Sequence, residues 1–214
     1  GGLWARFDPD EYATLDTFRR DPGKAWTFYR ALGSAIEDRS EGAAHRSLVQ
    51  LEEAELLDWV ITQNIDNLHR KARTRNLVEV HGDARHLQCL RCDRIEPLHA
   101  GVLHGREIPI CLQCGEPLKP NVVLFGENIR SPDLIEAILA GCDVMLLIGT
   151  SGQVFPVSAF PRQVASRGGV LIEFNLEETF LTQLCDFHFT GCVDRTLPWF
   201  VEKVLAAAGS AGDQ

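Results

Sequence analysis

Asp143-Val144-Met145-Leu146-Leu147-Ile148-Gly149-Thr150 is an unbroken apolar run that begins after a carboxylate and ends at a glycine. A run with no polar alternation reads as a strand buried on both faces, the pattern of a parallel sheet. Downstream, Val157 to Arg167 is spaced as a helix, and Gly169-Val170-Leu171-Ile172-Glu173-Phe174-Asn175 reads as a second buried strand. Upstream, Pro132 to Ala140 reads as a helix and Val122-Val123-Leu124-Phe125 as a strand. Leu56 to Thr62 and Leu77 to Val80 are further short strands, and Pro198 to Ala208 is a terminal helix. The first fifty residues read as helical, with Trp26, Phe28, Tyr29, Leu32 and Ile36 as an apolar stripe after Asp21-Pro22, and a second helix over Ala43 to Glu55. This alternation predicts an α/β fold with a parallel sheet covered by helices on both faces.

With 214 residues, 45% hydrophobic and 24% charged, the chain has ample material for a core and the composition of a globular protein. No apolar run reaches the length of a membrane span, and Gly1-Gly2-Leu3-Trp4-Ala5-Arg6 lacks the regions of a signal peptide, so an intracellular, cytoplasmic chain is expected. A formal charge of −9 argues against phosphate-backbone binding and excludes a specific nucleic-acid partner, while suiting a cationic one.

Of seven cysteines, four form two tight pairs, Cys89-Leu90-Arg91-Cys92 and Cys111-Leu112-Gln113-Cys114, separated by eighteen residues. That spacing is that of a four-cysteine zinc ribbon. The stretch between the pairs is poor in large apolar side chains, so a bound Zn2+ would supply its folding energy. Four thiolates close the coordination shell, which makes the zinc structural and moves the chemistry elsewhere. A redox role for one pair is the alternative, but it does not call for a second copy at this distance. Cys142, Cys185 and Cys192 are scattered and read as inert thiols.

Thr62-Gln63-Asn64-Ile65-Asp66-Asn67-Leu68-His69 follows one short strand and His81-Gly82 follows the next. Asn64, Asp66 and His81 would then sit at the carboxyl ends of neighbouring strands, where open α/β sheets bind ligands. An imidazole there has both protonation states available near neutral pH and can act as a general base. A hydrogen-bonded structural histidine is the other reading of His81 taken alone.

The order TQNIDNLH, VEVHG, two C-x-x-C pairs, LKPNVVLFGE, IGTSGQVFP, FNLE resembles that of the sirtuins, of bacterial or archaeal type, from about Leu3 to the terminal helix. The resemblance implies a Rossmann-like NAD-binding domain over 1–20, 50–86 and 120–214. It also implies a small domain made of a helical insertion over 21–49 and a zinc ribbon over 87–119. The implied activity is NAD-dependent removal of acyl groups from protein lysines, with nicotinamide released and the acyl group passed to ADP-ribose. His81 matches the family's base, and Asn64 and Asp66 match residues on the nicotinamide side of the cofactor, with Gln63 and Ile65 in the same loop. Gly149, Thr150 and Ser151 match a cofactor loop, Asn175 and Glu177 the adenosine ribose positions, and Val193 the slot beside the adenine. Tyr29, Val123, Leu124, Phe125 and Gly126 match the acyl-lysine substrate wall, where a peptide would add as a strand.

Three departures carry expectations. Sirtuins open with a strand, a Gly-Ala-Gly-x-Ser loop and an Ile-Pro-x-Phe-Arg segment, none of which occurs here, and a polypeptide lacking them would bind NAD poorly. Members that prefer succinyl or malonyl groups pair the tyrosine with an arginine three residues later. Here that position is Leu32, and Arg30 points about 100° away on the helix, so deacetylation over desuccinylation is expected. Ala72-Arg73 replaces an Ala-Gly turn. Mono-ADP-ribosyl transfer, or a catalytically weak acyl-lysine binding module, are the competing readings.

Overall fold

The protein is described by a computed structural model over residues 7–211; the expectations that fall on Gly1 to Arg6 and on residues 212–214 lie outside the described residues. The chain divides into two compact units, the first comprising Gly1–Ser40, Ile61–Asn67 and Val78–Arg130, the second Glu41–Val60, Leu68–Leu77 and Ser131–Gln214. The 21–49 segment is divided between the units, and 120–130 groups with the cysteine-rich segment.

The first unit opens with α1 (Pro9–Tyr12), α2 (Leu15–Arg20) and α3 (Pro22–Ile36). Asp21 starts α3 as its N-cap, its carboxylate accepting from Lys24 N–H at 3.0 Å, with Pro22 in the first helical position where no N–H is needed. The predicted stripe lands inside: Trp26, Phe28 and Tyr29 are buried, and the Trp26 indole N–H donates to the Leu118 carbonyl at 2.9 Å. Most of two short strands, β1 (Val60–Thr62) and β2 (Leu77–Glu79), also belong here, and Val80 N–H bonds the Thr62 carbonyl at 3.0 Å. Next come β3 (Gly82–Cys89), β4 (Ile95–Pro97), a short helix α4 at Ala100–His104, and β5 (Leu118–Val122), with β3 pairing antiparallel to both other strands in the order β4-β3-β5.

The strand expected at Val122 to Phe125 is therefore corrected: β5 ends at Val122, and Phe125 makes only an isolated bridge to Thr14. Pairing with β3, which begins in register at Gly82 opposite Val122, decides the position. β3 itself was not expected, because its sequence GDARHLQC does not alternate cleanly. Its polar members are satisfied by neighbours instead. Asp83 accepts from Asn121 Nδ2 at 2.9 Å and from Arg85 N–H at 2.8 Å, and Gln88 Oε1 accepts from Arg130 at 2.6 Å.

The second unit holds a helix over Ala43–Glu53, a short one over Leu68–Lys71, and then α5 (Pro132–Ala140), β6 (Val144–Ile148), α6 (Phe160–Ser166), β7 (Val170–Asn175), β8 (Phe187–Thr190) and α7 (Val193–Ala211). β6, β7 and β8 form the expected parallel sheet, with Val144 opposite Val170 and Ile172 opposite Phe187. Ile172 and Phe174 join Leu197 and Val201 of α7, and Leu48 and Leu51 of the Ala43–Glu53 helix, in one core. Leu171 and Glu173 point to the opposite face by pleat alternation and are also fully buried, and α6 packs against β6 and β7. The terminal helix begins five residues before the predicted Pro198 start, so that proline sits within its first turns.

Candidate active site and metal centre

Each cysteine pair closes a tight turn of the same design. Asp93 N–H bonds the Cys89 carbonyl at 3.1 Å and Gly115 N–H the Cys111 carbonyl at 2.8 Å, with Asp93 at φ 56° and Gly115 at φ 78°. In return, Cys89 N–H bonds the Arg94 carbonyl and Cys111 N–H that of Glu116. These paired turns bring all four Sγ atoms within 4.8 Å of one another, with Cys89 to Cys114 at 3.4 Å and Cys92 to Cys111 at 3.6 Å. Four thiolates about 2.3 Å from one tetrahedral Zn2+ stand about 3.8 Å apart, so the donor set fits that ion. The four-cysteine cluster fits a structural zinc site, and it lies in the core of the first unit with Trp26 and Leu118.

The strand end at Thr62 and the start of β3 bring the proposed reacting residues together. His81 Nδ1 lies 3.1 Å from the Gln63 carbonyl, which fixes Nδ1 as the protonated nitrogen; Nε2 has no protein partner among the described residues. Burial holds the His81 imidazole below its ordinary pKa, and the hydrogen bond to Gln63 only partly offsets this. The Gln63–Asn67 loop is pinned at two points: Thr62 Oγ1 accepts from Asn64 N–H at 3.1 Å, and the Ile65 carbonyl accepts from Ala84 N–H at 3.1 Å. Asn64 is exposed, Gln63 and Asp66 are half-buried, and Ile65 turns inward to line an apolar cleft with Tyr29, Leu32, Ala84, Leu98 and Val122.

Tyr29 is 3% exposed, and its hydroxyl has no hydrogen-bond partner among the described residues. Burial, with the Glu127 carboxylate as a lesser cause, pushes its pKa up. Arg30 is occupied elsewhere, donating to the Glu107 carbonyl at 2.7 Å and lying over the Trp26 ring at 5.4 Å. Val123 and Leu124 are held by their N–H groups, to the His81 carbonyl and to Glu127 Oε2, both at 2.8 Å. Phe125 is bonded on both sides, to Ala13 and Leu15, and Gly126 turns away at φ 95°.

In the second unit, Gly149 follows β6 at φ 59° and bonds the Phe174 carbonyl at 2.9 Å. Asn175 joins two loops there, its Nδ2 donating to the Thr150 carbonyl at 2.9 Å and its Oδ1 accepting from Leu176 N–H. Ser151 and Glu177 are exposed beside them, and Val193 opens α7 against the core.

Two buried charges escaped the sequence reading. Glu173 accepts from the hydroxyls of Thr179 and Thr182 and so ties the loop after Asn175 to β7. Lys119 pairs with Glu127 at 3.1 Å. The available signal was the pair of opposite charges bracketing an apolar run in LKPNVVLFGE.

The Sir2 family model matches residues 1–156. A relative named NAD-dependent protein deacylase from Pyrococcus furiosus is 37% identical over 209 residues, covering 95% of this chain and 84% of its own length. A solved Sir2 homologue variant in complex with 2'-O-acetyl ADP ribose superposes with a TM-score of 0.87 at 34% identity, covering 96% of this chain and 83% of that one. Sir2Tm bound to a propionylated peptide gives 0.80 at 27% identity, covering 98% and 90%. On these matches and on its own cysteine cluster and histidine loop, the chain belongs to the Sir2 family.

Proposed function

We propose that this protein is an NAD-dependent protein-lysine deacetylase, in which acyl-lysine, NAD and water become free lysine, nicotinamide and O-acyl-ADP-ribose. The observation that carries the reading is the His81 to Gln63 contact, which leaves the basic Nε2 without a partner among the described residues while the same loop presents Asn64 and Asp66. NAD supplies the ribose carbon that accepts the acyl oxygen. Asn64, Asp66, Gln63 and Ile65 would hold its nicotinamide side, Gly149, Thr150 and Ser151 its middle, and Asn175, Glu177 and Val193 its adenosine. His81 Nε2 takes the proton from a ribose hydroxyl so that the acyl group can pass to ADP-ribose. Val123 to Gly126, with Tyr29, would wall the acyl-lysine. The Rossmann-like assignment of 1–20, 50–86 and 120–214, with 21–49 and 87–119 as the small domain, belongs to this reading.

Group transfer to ADP-ribose makes the enzyme a transferase in its chemistry. A zinc site of four thiolates suits a reducing compartment, which supports a cytoplasmic location. Among the described residues no helix is long and apolar enough to cross a membrane.

The test is product analysis with an acetyl-lysine peptide and NAD. Nicotinamide and O-acetyl-ADP-ribose should appear in equal amounts, and His81→Ala should slow turnover to both by about 10²- to 10⁴-fold. Label retained on protein would instead indicate ADP-ribosyl transfer, and equal release by both proteins would remove His81 from the mechanism.

A further inference from the structure

Lys119 is 0% exposed, between Leu118 and Pro120 on β5 and opposite Gln88 of β3. Its ammonium donates to the Val122 carbonyl at 2.6 Å, to Glu127 Oε2 at 3.1 Å and to the Pro120 carbonyl at 3.4 Å. The same Glu127 oxygen accepts from Leu124 N–H at 2.8 Å, and Glu127 N–H returns to the Leu124 carbonyl at 2.9 Å. One ion pair, its ammonium fully buried and its carboxylate 17% exposed, therefore holds Val122 and Glu127, the two ends of the 122–127 segment.

Desolvating charges is costly before their attraction is counted, and apolar residues of the same volume commonly serve stability as well or better. Packing alone is thus a poor account of Lys119. What the pair does supply is direction. With Val123 N–H on His81, Leu124 N–H on Glu127 and Phe125 N–H on Ala13, the main-chain groups of 123–126 without a protein partner among the described residues are the Val123 carbonyl and both groups of Gly126. Those are what an added peptide strand would need.

We infer that Lys119, acting through Glu127 and the Val122 carbonyl, is a positioning residue that sets the Val123 to Gly126 backbone for pairing with the substrate's main chain. The inference rests on the reading of this segment as the substrate wall. It predicts that Lys119 governs recognition of the peptide backbone and leaves recognition of the acyl-lysine side chain alone.

The experiment compares, by titration calorimetry on the full chain, an acetyl-lysine peptide with a capped single acetyl-lysine that lacks flanking residues. Lys119→Met should weaken the peptide by about tenfold or more, the size of one lost charge-assisted contact, and leave the capped residue within about twofold. Lys119→Met/Glu127→Leu removes both charges, so neither is stranded, and should show the same selective loss in a folded protein. Lys119→Arg, which keeps the charge, should recover part of the peptide affinity. If the wild type does not distinguish peptide from capped residue, the substrate-wall reading falls and the inference with it. If it does, and the double variant keeps the wild-type ratio, the wall stands and the role of Lys119 is refuted.

Discussion

His81 Nδ1 and the main-chain oxygen of Gln63 stand 3.1 Å apart, so one nitrogen of the imidazole is committed to the loop that carries Asn64 and Asp66. Because burial lowers the His81 pKa from its ordinary value near 6.5, the neutral ring is the resting form at neutral pH. Turnover should therefore stay flat down to pH 6.5 and fall only as the pH drops through the lowered value. The linkage has the same sign: the unfolded chain takes up the proton first, so stability present above pH 6.5 is lost as acid reaches the folded pKa. A pH profile of kcat with its acid limb above 6.5 would contradict this. His81→Ala should lower kcat by about 10²- to 10⁴-fold, the usual contribution of a general base.

Acyl choice follows from what surrounds Tyr29. Leu32, one turn along on the same helix face, and Leu98 are apolar, and Arg30 is bonded to Glu107. A succinyl carboxylate would enter this cleft without a cation to meet it, at a cost no neutral acyl group bears. Acetyl-lysine should be processed at least about tenfold faster than succinyl-lysine on one peptide, a gap of about 1.4 kcal/mol. Leu32→Arg should narrow that gap. Faster removal of succinyl by the wild type would overturn the expectation.

The zinc centre is testable without turnover. Chelation should release one zinc per chain and unfold the segment between the cysteine pairs, since structural zinc contributes on the order of 10 kcal/mol to such modules. Cys111→Ser, at a buried ligand, should do the same, whereas Cys192→Ser, at an exposed thiol, should change stability by no more than about 0.5 kcal/mol. Retention of metal by Cys111→Ser would refute four-thiolate ligation.

What the sequence made legible, and what it hid, divides by how local the cause is. The apolar run at Val144 to Ile148, the Asp21-Pro22 cap and the C-x-x-C pairs are local signals, and each gives its element where expected; the run is not buried on both faces, however, because β6 pairs only with β7 among the described residues, leaving Val144 54% exposed and only Leu147 buried. β3 was hidden because Asp83 and Gln88 are polar and become strand residues only through Asn121 and Arg130, more than thirty residues away. The same applies to β5, whose end at Val122 is decided by pairing with Gly82 rather than by the apolar run through Phe125. The reacting loop was legible as a motif. That Gln63 contributes its carbonyl to His81, rather than its side chain, belongs to the fold.

Arg73 shows how a departure from a familiar turn is absorbed. The Leu68–Lys71 helix ends with Arg73 N–H on the Arg70 carbonyl and Thr74 N–H on the His69 carbonyl, both at 3.0 Å, a Schellman cap. That geometry requires a left-handed residue at the penultimate position, and Arg73 takes it, at φ 72°. A side chain there costs about 1 to 2 kcal/mol, which glycine avoids while adding some entropy to the unfolded chain. Arg73→Gly should therefore stabilise the protein by about 0.5 to 1 kcal/mol, which for a chain of this size is a rise in Tm of about 1 to 4 °C. Arg73→Ala removes the charged side chain but keeps the strained Cβ, and should give no such gain. Equal Tm values for the glycine and alanine variants would mean that the turn, and not this residue's backbone, sets the stability of the helix end.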